Sequence, residues 1–331
     1  MREPRTIVLL LVTGSLLATV TWRACAELRP ATQATFKVVD DLGEPLAGVT
    51  VKMSTFDSWQ EGEGFGTDIH KEFRGVTDKE GVASISATSL DGHFTYGTER
   101  IEGFYPGGGG YIRFKREDVA GGRWHPWNQE IKITKIRIVN PIPMYAKEVK
   151  LVLPFKDEPV GFDLMVGDMV GPHGEGKVAD MLFTITEEIP FVSTREPFMG
   201  RLTVAFSNPN DGIHAIITPP DETNGFLLPR HAPDDGYAPR LEKRHGRPSA
   251  GEPIIPFERE GQNFYIQIRT EIDEEGKLKT AYYARIMGDI VFSTMKSDGG
   301  QFLRFTYHLN PTPLDRNMEF DRKQNLFDTV R

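Results

Sequence analysis

The side chains best placed to do chemistry in this 331-residue chain are three aspartates and five aromatics. Asp163 and Asp168 precede a glycine-rich stretch, Gly171-Pro172-His173-Gly174-Glu175-Gly176-Lys177-Val178, and Asp180 follows it. Three carboxylates gathered by one loop would make a hard oxygen site, and calcium is the cation that suits it. The spacing is not that of an EF-hand, so ordinary solvated acids are the plainer expectation. The aromatics lie on loops rich in glycine and proline. Phe104 and Tyr105 precede Pro106 and Gly107–Gly110, Tyr111 follows, and Trp124-His125-Pro126-Trp127 comes next. Such rings either form a platform that stacks on sugars or anchors a protein partner, or they cap the end of a core. The capping reading is the simpler of the two.

Other chemistry is poorly supported. The glycine stretch has the G-x-x-x-x-G-K spacing of a phosphate loop, but Val178 stands where Ser or Thr would hold magnesium. An alternating run follows where a helix is required. Its glycines are expected to form a flexible turn, and no nucleotide is expected. Gly62-Glu63-Gly64-Phe65-Gly66 lacks the third spacing of a dinucleotide fingerprint. The eight histidines (His70, His93, His125, His173, His214, His231, His245 and His308) never pair as His-x-His or His-x-x-x-His. Gly-x-Ser-x-Gly and His-Glu-x-x-His are absent. Acid pairs for glycoside hydrolysis arise by chance among so many carboxylates, and no spacing marks one out.

The N-terminus reads as an export signal. Arg2 and Arg5 precede a mostly apolar run, Thr6–Trp22, and Ala24-Cys25-Ala26 offers a cleavage site, giving a leader of residues 1–26. A retained anchor and a lipid on Cys25 are the competing readings. The anchor is short for spanning a bilayer, and Trp22 and Arg23 are poor neighbours for lipidation. Cys25 is the only cysteine, so the cleaved chain would have no disulfide, cysteine nucleophile or thiolate metal site. Its charge would be 36 basic against 46 acidic side chains, which disfavours a nucleic-acid partner. Periplasm, cell surface and extracellular space all fit such a chain, and no membrane span is expected once the leader is gone.

These residues must be held by strands. With 33 glycines and 23 prolines spread along the chain, many short strands joined by turns are expected. Segment 32–140 has seven candidates: Thr35–Asp40, Gly48–Phe56, Phe73–Thr77, Val82–Thr88, His93–Thr98, Tyr111–Lys115 and Gln129–Val139. Val49, Val51 and Met53 share one face, as do Ala83, Ile85 and Ala87. In the last candidate a one-residue bulge near Lys135 would bring Ile131, Ile133, Ile136 and Ile138 to one side. The run Val39-Asp40-Asp41-Leu42-Gly43-Glu44-Pro45-Leu46-Ala47-Gly48-Val49-Thr50-Val51, with Gly75-Val76-Thr77-Asp78-Lys79-Glu80-Gly81, resembles the carboxypeptidase regulatory-like domains, also called transthyretin-like or prealbumin-like. Bacterial Ig-like modules are similar. The resemblance covers about a third of the chain. It implies a β-sandwich, and a role in presenting or binding more than in catalysis. The chain departs from that pattern by an insertion, Ser54–Glu72.

Residues 141–147 read as a proline-broken linker. A second β-rich domain is expected over 148–310, a jelly-roll type of sandwich by default. Its strands are Glu148–Leu153, Ala179–Thr186, Arg201–Phe206, Asn263–Thr270, Ala281–Met287, Ile290–Thr294 and Phe302–Leu309. Residues 218–260 form a long loop carrying Arg240, Lys243, Arg244, His245 and Arg247, and 311–331 is a polar tail. The chain as a whole is expected to be all-β: an exported, non-catalytic envelope protein presenting a binding surface on its loops, for polysaccharide or an envelope protein. Two alternatives stand beside it, a glycoside hydrolase or lyase with acids in the second domain, and a structural subunit of a surface assembly.

Overall fold

The computed structural model describes residues 29–60, 67–218, 228–295 and 301–327. The expected leader, with Cys25, lies outside them. Strands dominate, and among the described residues no helix is long and apolar enough to cross a membrane. The chain divides into two compact units, up to Arg137 and from Ile138.

The first unit contains β1 (Ala31–Asp40), β2 (Thr50–Gln60), β3 (Thr67–Val76), β4 (Val82–Thr88), β5 (His93–Thr98), β6 (Gly110–Arg113), β7 (Val119–Ala120), β8 (Arg123–Trp124) and β9 (Gln129–Lys135). One sheet is built on β1, which pairs antiparallel with β4 and parallel with β9, and the short β8–β7 pair extends it. The other has the order β3-β2-β5-β6. Alternate residues of both sheets face inward and are buried, among them Phe36, Val38, Met53, Ile85, Phe94 and Ile133. This is a β-sandwich.

The turn chemistry explains the sequence pattern. Asp40 Oδ1 accepts from Leu42 N and Glu44 N. Thr77 Oγ1 accepts from Val49 N at 2.8 Å and donates to Leu46 O at 2.7 Å, pinning one hairpin to the other. Asp78 Oδ1 accepts from Glu80 N and Val82 N, the bonding of an Asx turn. Gly81 closes it at φ +74°, where a Cβ would lie 2.5 Å from Val38 O. The insertion after Ser54 lengthens β2 and β3 into one extended hairpin. No bulge follows Lys135. Instead β9 ends there, Lys135 is itself buried with Nζ bonded to Gly107 O, and Ile138 is 44% exposed.

The second unit contains β10 (Ile142–Val152), β11 (Val160–Asp163), β12 (Asp168–Met169), β13 (Met181–Ile189), β14 (Phe198–Ala205), β15 (Gly212–Ile217), β16 (Arg240–Arg247), β17 (Gln262–Ile272), β18 (Leu278–Ser293), β19 (Phe302–Leu309) and β20 (Phe320–Asn325). A six-stranded sheet, β15-β17-β18-β19-β10-β20, faces a five-stranded one, β12-β11-β13-β14-β16. Their shared core includes Phe162 from β11 and Phe305 from β19, edge to face at 5.6 Å.

Several boundaries differ from the sequence reading. The expected linker 141–147 is largely the start of β10. Pro143 is tolerated because its neighbour there is the outermost strand, β20, and the pairing is irregular at that point. The polar tail supplies β20, and Phe327 packs on Tyr145 at 5.1 Å. The long loop contains β16, paired with β14 over eight residues. The two strands expected at 281–287 and 290–294 are one, β18, with an irregularity between Met287 and Val291 that Gly288 accommodates at φ +78°.

Candidate ligand-binding face

Pleating sends alternate residues of β3-β2-β5-β6 away from the core. Met53, Phe94 and Ile112 point in and are buried. Their neighbours form two rows on the outer face. Glu72, Ser54, Thr95 and Tyr111 lie side by side across the four strands. In the adjacent row His70 opposes Phe56, and His93 opposes Arg113. Ser54, Thr95 and Tyr111 of the first row and the four side chains of the second, together with Asp91, line a cleft of about 390 Å³.

The cleft is well supplied with contacts a ligand could use. Tyr111 is 74% exposed. Its ring lies 5.9 Å from the Arg113 guanidinium, the geometry of a cation–π contact. Asp91 Oδ2 lies 3.4 Å from His93 Nδ1. To one side the charges close on themselves: Lys52 reaches Glu99 at 3.1 Å, and Arg74 reaches Glu72 at 2.6 Å and Glu99 at 3.0 Å. The hydrogen bond from Lys52, then the charges of Lys52 and Arg74, hold the Glu99 carboxyl below its ordinary range. Ring faces, imidazoles, hydroxyls and a guanidinium are groups that bind a polar molecule.

Tyr111 is the one aromatic of the sequence-derived set on this face. Trp124 is 2% exposed and stacked on Phe114 at 5.7 Å, so it belongs to the core. Trp127 lies under the Arg123 guanidinium at 4.6 Å. Phe104 bridges to Arg137, and Tyr105 N bonds to Ile136 O, beyond the end of β9. The five rings do not make one platform, because the turns carrying them leave different strands.

Asp163 and Asp180 do converge, and the cation between them is Arg269. Its Nη2 lies 2.9 Å from Asp163 Oδ1 and 3.0 Å from Asp180 Oδ2, and its Nε lies 2.7 Å from Asp180 Oδ1. Asp163 Oδ2 accepts from Lys177 N and Val178 N, and Asp180 Oδ2 from Leu164 N. Asp168 stands apart, accepting from Met169 N and Glu175 N. These acids pin the glycine loop that was expected to be a flexible turn. Gly174 is packed so closely that a Cβ would lie 2.3 Å from Met169 O. Among the described residues no group of three or more His, Cys, Asp or Glu side chains is arranged to hold a metal.

The basic knot of β16 is also spoken for. Arg240 pairs with Glu242, Arg244 with Glu188 and Lys243 with Asp289, while His245 and Arg247 bond to the carbonyls of Ile255 and Thr194.

Sequence reasoning missed Phe56, His70, His93 and Arg113. The available signal was the alternation in His93–Thr98 and Tyr111–Lys115. It marks outward positions but does not say which strands become neighbours.

No family model matches the sequence, and no curated protein matches it. The solved structures with which it aligns are distant. Shaft pilin SpaA from Lactobacillus rhamnosus GG is 10% identical, with 55% of this chain and 89% of that chain covered and a TM-score of 0.22. The major pilin SpaD from Corynebacterium diphtheriae is 13% identical, with 88% and 83% covered and a TM-score of 0.22. A DUF3823 family protein from Parabacteroides merdae is 9% identical, with 88% and 100% covered and a TM-score of 0.19. Superpositions of this quality carry no argument, so the architecture rests on the sheets themselves.

Proposed function

We propose that this chain is an exported, non-catalytic protein of a bacterial envelope, whose first unit is a carboxypeptidase regulatory-like module that binds carbohydrate. The binding site in this reading is the outer face of β3-β2-β5-β6. The observation that carries it is the cleft there, where the exposed Tyr111 ring and the Phe56 ring stand among hydrogen-bonding groups. These two rings are two strands apart, roughly 10 Å, with Thr95 and His93 between them. Sugars present an apolar ring face and a rim of hydroxyls, and this mixture matches both.

Size favours a carbohydrate over a protein partner. A cleft of about 390 Å³ falls in the range of small-molecule sites. A stable protein interface buries about 800 Å² and about 20–30 residues on each side, whereas ten described residues line this cleft. Export is supported by the charged start, apolar run and Ala24-Cys25-Ala26 of the leader.

The test is retention of the full chain on insoluble cellulose, chitin, starch and peptidoglycan. Retention on at least one, weakened about tenfold or more by Tyr111→Ala, supports the reading. A wild-type chain retained on none of them refutes it.

A further inference from the structure

We infer that the glycan taken by this face is acidic, and that Arg113 is the residue that selects it. This rests on the carbohydrate reading above.

The argument starts from how the charges on the face are used. Lys52 and Arg74 are tied to Glu72 and Glu99. Arg113 has no carboxylate partner among the described residues, and its contact is the Tyr111 ring. An arginine held over a ring keeps the edge of its fork for an incoming anion. Among the described residues Asp91 is the one acid lining the cleft, and it is engaged in other contacts. Its Oδ1 accepts from Ser89 Oγ at 2.8 Å and His93 N at 3.0 Å, and its Oδ2 faces the His93 ring. The anion-binding capacity of the cleft is therefore concentrated at one guanidinium.

Position gives that guanidinium a use. Arg113 and Tyr111 are two residues apart on β6, so they share the outer face of an edge strand. A sugar stacked on Tyr111 would place a ring substituent beside Arg113, and Thr95 and His93 on β5 flank the same spot. Guanidinium binds carboxylate or sulfate through two parallel N–H···O bonds, which a neutral hydroxymethyl group cannot accept. The chain as a whole offers no general attraction, since its net charge is −8. A polyanion that binds must therefore do so through a local site.

The experiment is calorimetric titration of the full chain at about 0.15 M salt with three soluble probes: polygalacturonate, dextran sulfate and neutral dextran. At least one polyanion should bind tenfold or more tightly than dextran. Comparison of the two polyanions tells a carboxylate from a sulfate source. Arg113→Gln should reduce the polyanion to the level of dextran, with the same thermal midpoint, because the side chain is exposed. Equal binding of dextran and polyanions, or an Arg113→Gln chain that keeps the preference, overturns the inference and leaves carbohydrate binding standing. A wild-type chain that binds neither polyanion also overturns it, and retention on the insoluble panel then decides whether the carbohydrate reading survives.

Discussion

Arg269 meets Asp180 fork to fork, with Nε 2.7 Å from Oδ1 and Nη2 3.0 Å from Oδ2. The same Nη2 reaches Asp163. Both carboxylates are buried, at 1% and 2% exposure. Burial is the largest influence on each. It prevails at Asp180, which is raised. At Asp163 it is outweighed by the N–H groups of Lys177, Val178 and Val166 together with Arg269, and the net shift is downward. Arg269 holds its place at φ 51°, with its own N and that of Thr270 bonded to Asp211.

Removing that cation leaves two buried carboxylates without a cationic partner. Arg269→Met is expected to cost about 3–5 kcal/mol, lowering the melting temperature by roughly 6–20 °C in a unit of this size. Arg269→Lys should recover only part, since an ammonium cannot form the fork. Calorimetry of the three proteins measures this. Calcium or a chelator should shift the wild-type midpoint by less than about 1 °C, because Arg269 takes the place between Asp163 and Asp180 that a metal ion would need.

The buried imidazole of His308 makes stability depend on pH. Arg285 Nε lies 3.3 Å from its Nδ1, and Phe320 packs against the ring at 4.6 Å. Burial, with the charges of Arg285 and Arg322, pushes this imidazole down to about 3. An unfolded chain takes up the proton near its ordinary value of 6.5, whereas the folded chain stays neutral until about 3. Stability is therefore fully present above pH 6.5 and declines as pH falls through that window, by a few kcal/mol in all at about 1.4 kcal/mol per pH unit. Urea midpoints at pH 7, 5 and 4 should fall in that order, and His308→Gln should flatten the decline. A variant with the wild-type slope would count against this account.

Two tryptophans of one motif should behave oppositely. Trp124→Ala empties a packed site, and Gly92 is pressed against its ring, so the cost is about 3–5 kcal/mol. Trp127→Ala loses a contact with Arg123 worth about 1 kcal/mol. Denaturant titration of the pair distinguishes them.

The first unit was the more legible because its residues alternate cleanly and its turns carry their own chemistry. Val82–Thr88 and His93–Thr98 were readable to the residue, and Thr77, Asp78 and Gly81 announced their turn. The second unit hid β16 because Arg240–Arg247 is so rich in basic side chains, and these are satisfied by ion pairs and carbonyls that lie far away in sequence. It hid β20 because a polar terminal strand has no apolar rhythm. For Asp163, Asp168 and Asp180 the sequence offered a calcium site as the less plain reading beside ordinary solvated acids, and Asp163 and Asp180 are instead buried on one arginine. That the cation would be Arg269, about ninety residues further on, follows only from the register of β17. The proposed binding face was half visible. Tyr111 stood out, while Phe56 and Arg113 became its neighbours through the strand order β3-β2-β5-β6.

The most direct check compares two aromatic variants of the full chain on whichever polysaccharide retains the wild type. If the outer sheet face binds, Tyr111→Ala should lose about tenfold or more in retention, while Trp127→Ala, on a different turn, keeps it. Retention lost with Trp127→Ala and kept with Tyr111→Ala would contradict the account and place binding on the loops instead.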